Sequence, residues 1–162
     1  MDKNFNVAIT MKTFDKFDFV VIPTTHFHMV GLTIPENTVS AALKADFWLR
    51  KFNALLDMDL PFYKIGIAHL TCPLIADESR QKYLEIIELL KKDDLEKVFK
   101  KACMKGVGIE LNSADMNYTQ EEKDIVLRPY IIAKKMGCKF YFGSDAHHPE
   151  ELDAAKKYLK RQ

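Results

Sequence analysis

The sequence carries almost no excess charge: 24 lysines and arginines stand against 23 aspartates and glutamates, a net of +1 at pH 7. Without a basic field it lacks the electrostatic footprint of a duplex binder, and it has no acidic tail. Long apolar runs are also missing. The longest, such as the stretch from Phe19 to Pro23, fall far short of the roughly 20 residues that a membrane span needs. The first residues, Met1 to Met11, lack the basic start and apolar core of a secretory leader. Cysteine is sparse. Cys72, Cys103 and Cys138 are odd in number, widely spaced and form neither a CxxC pair nor a disulfide framework, which points to a reducing cytoplasm. Internal repeats, low-complexity segments and interdomain linkers are absent as well.

What remains is an ordinary globular composition. The chain has 162 residues, 48% hydrophobic and 29% charged, enough for a single domain over 1–162 with its own core. Short apolar runs alternate with amphipathic segments. Strands are expected at Phe19 to Pro23, Lys64 to Ala68, Val107 to Leu111 and Lys139 to Phe142. Between them the spacing predicts helices. One runs from about Pro35 to Leu56, with Val39, Leu43, Phe47, Leu49 and Phe52 at near-helical intervals. A second spans Glu78 to Leu90, and a third is capped by Asp93 and stopped by Gly106. A fourth opens at Thr119 with Glu122 three residues on, a capping-box pattern. A terminal helix is expected from Pro149 to Lys160, with Leu152, Ala155 and Leu159 on one face. Such alternation indicates parallel βα units, either an open doubly wound sheet or part of a (β/α) barrel. In either case function sits at the carboxyl ends of the strands.

Those ends are where the histidines fall. The first strand leads to His26 and His28, the second to His69, and the fourth to Asp145 and His147; the remaining histidine is His148. The third strand carries Glu110 and Asn112 at its end. In Gly143-Ser144-Asp145-Ala146-His147, the aspartate and histidine at i and i+2 leave extended backbone on one face. A carboxylate beside an imidazole suits Zn, Mn or Fe. Convergence of such groups on one rim is how a metal or phosphate site is built.

In this order and at this approximate spacing, four segments resemble the later motifs of the PHP family, the polymerase and histidinol phosphatase domain. They are the strand from Asp18 leading to Thr25-His26, then Ile67-Ala68-His69, Gly108-Ile109-Glu110-Leu111-Asn112, and Gly143 to His147. The resemblance implies a distorted (β/α)7 TIM-like barrel, here a partial one of about four parallel strands, and a cluster of divalent transition metals. It also implies hydrolysis of a phosphomonoester by metal-activated water. Carried over residue by residue, His26, His69, Asp145 and His147 are the implied metal ligands, with Asp145 and His147 closest to the chemistry. Glu110, Asn112, His28 and Ser144 are placed near the substrate or behind the ligands. The stretch before Phe19 holds no histidine, so the family's opening His-x-His motif has no counterpart. The chain therefore resembles the C-terminal part of a PHP domain. Two functions follow: a metal-dependent phosphoesterase, or its C-terminal part, acting on a small phosphorylated substrate, and a catalytically inert PHP-like module kept for binding or assembly. Neither a membrane nor nucleic acid is an expected partner, and exposed sheet edges suggest a homodimer.

Overall fold

The computed structural model describes residues 1–76, 78–113 and 118–154. Four short strands, β1 (Val20–Pro23), β2 (Ile65–Ala68), β3 (Gly108–Asn112) and β4 (Lys139–Gly143), form one parallel sheet in the order β1-β2-β3-β4. They alternate with helices α1 (Met11–Phe14), α2 (Ala41–Asp57), α3 (Arg80–Leu89), α4 (Lys92–Lys105) and α5 (Lys123–Lys135). The protein is thus α/β, with every crossover joining neighbouring strands in the same direction. Right-handed crossovers then set the helices on one face of the sheet. Consistent with this, α2 packs on α3 and α4, and α5 packs on the same two helices.

Strand residues alternate between the two faces. Ile22, Ile67 and Ile109 line up across three strands and are at most 4% exposed, under the helices. The opposite face carries Val21, Gly66, Gly108, Glu110, Asn112 and Tyr141 by the same register. Tyr141 lies across Gly108 and Gly66 and meets the Phe19 ring edge-on at 5.2 Å. Two glycines, on β2 and β3, make the bed for one aromatic ring.

Helix boundaries follow local chemistry. Ser40 caps α2 by accepting the Leu43 N–H, so Val39 precedes the helix and Leu43 faces solvent. The buried residues are Ala41, Lys44, Ala45, Phe47, Trp48, Lys51, Phe52, Leu55 and Leu56, so of the expected apolar positions Phe47 and Phe52 are buried while Val39 and Leu43 are not. Two lysines are among the buried residues, which is why an apolar count misjudges part of the phase. Asp93 lies in the first turn of α4 rather than at its cap, where the helix dipole still favours a carboxylate. Gly106 ends α4 in the left-handed conformation, φ 74°. Thr119 and Glu122 make the expected reciprocal bonds, 3.0 and 3.4 Å, one turn ahead of regular helix. Arg128 donates to the last carbonyls of α3, among them Glu88 at 3.1 Å and Leu90 at 2.9 Å. It closes a helix end rather than reaching toward a phosphate. After β4, Pro149–Ala154 forms a 3-10 turn with Leu152 exposed, and the rest of the expected terminal helix lies outside the described residues. Among the described residues no helix is long and apolar enough to cross a membrane.

Lys51 is 1% exposed and its ammonium donates to the Thr33 carbonyl at 2.8 Å, between the rings of Phe27 and Phe47. Burial pulls its pKa from 10.5 down to about 8, against a smaller opposing pull from Asp2. Folding therefore opposes the charge. Between pH 8 and 10.5 the unfolded chain holds a proton that the fold does not, so stability rises as pH climbs through this window. Denaturant titrations at pH 8 and 10 are expected to show a gain on the order of 2 kcal/mol that Lys51→Met lacks. Equal pH dependence in both proteins would contradict this.

Candidate functional site

All three strand pairings are parallel, so the carboxyl ends of the four strands share one edge of the sheet. Thr24, Thr25 and His26 follow β1, His69 follows β2, Asn112 ends β3, and Ser144 and Asp145 follow β4. Two of these residues, His69 at φ 57° and Asp145 at φ 54°, hold the left-handed conformation that non-glycine residues adopt only at a cost. Their side chains meet, with His69 Nε2 and Asp145 Oδ1 3.4 Å apart.

The backbone of His69 is gripped on both sides. Its N–H donates to Glu110 Oε2 at 2.9 Å, and its carbonyl accepts from the buried hydroxyl of Thr25. Asn112 Nδ2 lies 3.2 Å from the same Glu110 oxygen and 3.4 Å from His69 Nδ1. The His26 ring stands 5.1 Å from that of His69 and 5.6 Å from that of His28. Burial holds the His26 pKa down to about 4, with neighbouring His69 and His28 adding to the effect. His26 is neutral at pH 7 and keeps a lone pair. Its loop is tied down from behind, because Thr33 donates to the His26 carbonyl and Lys51 to the Thr33 carbonyl.

His147 belongs to the loop after β4. Its Nδ1 lies 2.8 Å from the Asp145 carbonyl, which can only accept, so Nδ1 carries the proton and Nε2 the lone pair. A backbone carbonyl on one ring nitrogen is the usual way a metal-ligating histidine is oriented. Glu151 Oε2 shapes this loop by accepting the His147 and His148 N–H groups at 2.7 and 3.3 Å. Ser144 does similar work: its hydroxyl accepts the Ala146 N–H at 3.2 Å and its carbonyl accepts from Ser113 at 2.9 Å. His28 and His148 are exposed.

The donor set of imidazoles and a carboxylate fits a divalent transition metal. Two tetrahedral ligands with bonds of about 2.1 Å stand roughly 3.4 Å apart, the separation found for His69 and Asp145. Three or more such groups do not close on one point among the described residues. His26 approaches His69 as a tilted ring, and His147 turns toward its own loop. The rim thus joins His26, His69 and Asp145 as neighbours, places Glu110 and Asn112 directly behind His69, and leaves His28, Ser144 and His147 around them.

Thr25, Thr33, Lys51 and Gly143 also shape this rim; Thr25 and Gly143 lie in the motif segments, but Thr33 and Lys51 carry no signature of their own in the sequence. A threonine pair after a strand is common, and a charged residue on a helix reads as solvated. The Thr24-Thr25 pair immediately before His26 was an available hint. No family model, curated protein or solved structure matches the chain, so the PHP resemblance stands on the motif residues themselves.

Proposed function

We propose that this rim is a PHP-type site for Zn, Mn or Fe, and that the chain is a metal-dependent phosphoesterase, or the C-terminal part of one, acting on a small phosphorylated substrate. The observation that carries the reading is the His69–Asp145 contact: two strained, non-glycine residues at the ends of separate strands, with their donor atoms 3.4 Å apart. Strain of this kind collects where geometry serves a function. Sequential strand order with helices on one face is also what an arc of a distorted (β/α)7 barrel would have.

A divalent ion held by His26, His69, Asp145 and His147 would offset phosphate charge and acidify a bound water. The chain's own part is to present those donors in the right protonation states. His26 is kept neutral by burial, and Nδ1 of His147 is engaged by the Asp145 carbonyl, which leaves Nε2 as the nitrogen open to a ligand. In this reading a histidine at the rim would hand a proton to the leaving alkoxide, and His28, exposed beside His26, would lie near the substrate. A net charge of +1 suits a small substrate better than a duplex, and free thiols suit a reducing cytoplasm.

Two observations favour the second reading, an inert module kept for binding or assembly. Phe19 and Val21, beside the inner sheet face, are 46% and 48% exposed. An apolar groove of about 490 Å³ also runs between α5 and β4, along Tyr130, Ile131 and Phe140. Such surfaces suit a partner or a second copy of the chain. Hydrolysis of p-nitrophenyl phosphate in the presence of Mn²⁺ or Zn²⁺ separates the readings. The phosphoesterase predicts turnover that falls at least about 100-fold in His69→Ala. Bound metal with no turnover across a panel of phosphomonoesters supports the inert module, and elution as a monomer excludes the homodimer.

A further inference from the structure

We infer that Glu110 is a positioning residue for His69, and that position 143 is glycine because the Glu110 carboxylate occupies the space a side chain would need there. The inference deepens the metal-site reading and rests on it for its affinity readout alone.

Glu110 is 6% exposed in the middle of β3, yet no lysine or arginine pairs with it among the described residues. What it does have is hydrogen-bond donors. Oε2 takes the His69 main-chain N–H and the Asn112 amide, at 2.9 and 3.2 Å. A side-chain oxygen fixed beside a backbone N–H satisfies that donor, and an amide oxygen in the same place can do so too. Here that bond falls on a residue held at φ 57°, where an acceptor fixed on the neighbouring strand can offset the backbone cost. Thr25 holds the carbonyl of the same residue. With both its N–H and its carbonyl fixed, the His69 imidazole is aimed at Asp145.

The other oxygen of Glu110 points toward β4. A Cβ built on Gly143 would stand 1.8 Å from Glu110 Oε1 and 2.6 Å from Cδ. Gly143 is not among the residues with positive φ, so its backbone asks nothing that alanine could not supply. The glycine is there for room. Two motifs that lie far apart in the sequence, one around Glu110 and one around Asp145, are therefore a single packed unit. An alanine at 143 would push the carboxylate off the His69 N–H.

The test is a double-mutant cycle on the full chain with Glu110→Gln, Glu110→Ala, Gly143→Ala and the double alanine variant. Two quantities are read: hydrogen exchange of the His69 amide by NMR, and Zn²⁺ affinity. Glu110→Gln keeps an acceptor oxygen and is expected to stay within about 3-fold of the wild type on both. Glu110→Ala and Gly143→Ala are each expected to speed exchange of the His69 amide at least about 10-fold and to weaken Zn²⁺ roughly 10- to 100-fold. The double variant should be no worse than either single one, because both remove the same contact. Unchanged His69 exchange in Glu110→Ala would overturn the inference. So would additive losses in the double variant, or a Glu110→Gln loss as deep as that of Glu110→Ala, which would make the charge itself the active element. Should the wild type bind no Zn²⁺, the metal reading fails, while amide exchange across the same cycle still decides the role of Glu110. Circular dichroism of Glu110→Gln and Gly143→Ala separates local loosening from loss of fold.

Discussion

Asp145→Ala is expected to weaken Zn²⁺ or Mn²⁺ binding by roughly 100-fold or more, and His69→Ala to do the same. Few donors are available at the rim. His69 and Asp145 are the pair whose donor atoms already stand at ligand spacing, 3.4 Å. An ion held by few side chains competes with water at each open position, so loss of one donor is felt in full. Asp145 also holds φ 54°, a conformation that asparagine tolerates. Asp145→Asn therefore keeps the backbone and removes the charge. Its affinity should fall nearly as far as that of Asp145→Ala while its melting temperature stays at the wild-type value. If Asp145→Asn binds metal like the wild type, the carboxylate is not a ligand and its contact with His69 is structural.

The second large effect is on the fold. Gly66→Val is expected to destabilise the protein by about 3 kcal/mol, lowering Tm on the order of 5 to 10 °C. Gly66 lies on β2, and a Cβ there would stand 2.6 Å from the Tyr141 ring and 2.7 Å from that of Phe19. Tyr141 arrives from β4, crosses Gly108 on β3 and ends against Phe19 beside β1. One ring thus ties together all four strands on the face opposite Ile22, Ile67 and Ile109. Its hydroxyl is buried without a hydrogen-bond partner among the described residues, and burial, helped by the charge of Glu110, pushes its pKa well above the ordinary value. Phe19 is half exposed and can swing away, but Tyr141 is held between strands. The same substitution in a Tyr141→Leu background should cost clearly less, since the ring it strikes is gone. Equal costs in both backgrounds would show that the glycine matters for a reason other than this contact.

Much of this architecture was legible in the residues. Four apolar runs gave the four strands to within a residue or two, because β-branched and aromatic side chains under a layer of helices leave a strong signal. Gly106 marked a helix end, with positive φ, and the Thr119–Glu122 pair formed its two bonds. The phase of α2 was legible only in part, through Phe47 and Phe52. Lys44 and Lys51 lie on its buried stripe, one paired with Glu78 and the other aimed at a backbone carbonyl, and no hydrophobic periodicity includes a lysine. At the rim, strand ends and histidine positions pointed to His26, His69 and Asp145 as neighbours. The sequence did not disclose the means of holding them. Backbone bonds from Thr25 and to Glu110 are tertiary contacts between residues 44 and 41 positions apart, and they leave no trace in local pattern. Nor does a glycine at 143 reveal whether it serves φ or space until the neighbouring strand is in place.

Metal content of the purified wild-type chain, measured by elemental analysis after equilibration with Zn²⁺, Mn²⁺ or Fe²⁺ and removal of the excess, tests the central claim most directly. The rim described here predicts at least one ion per chain, retained by the wild type and lost by both His69→Ala and Asp145→Ala. A wild-type chain that retains no metal, or one whose metal survives both substitutions, would contradict it.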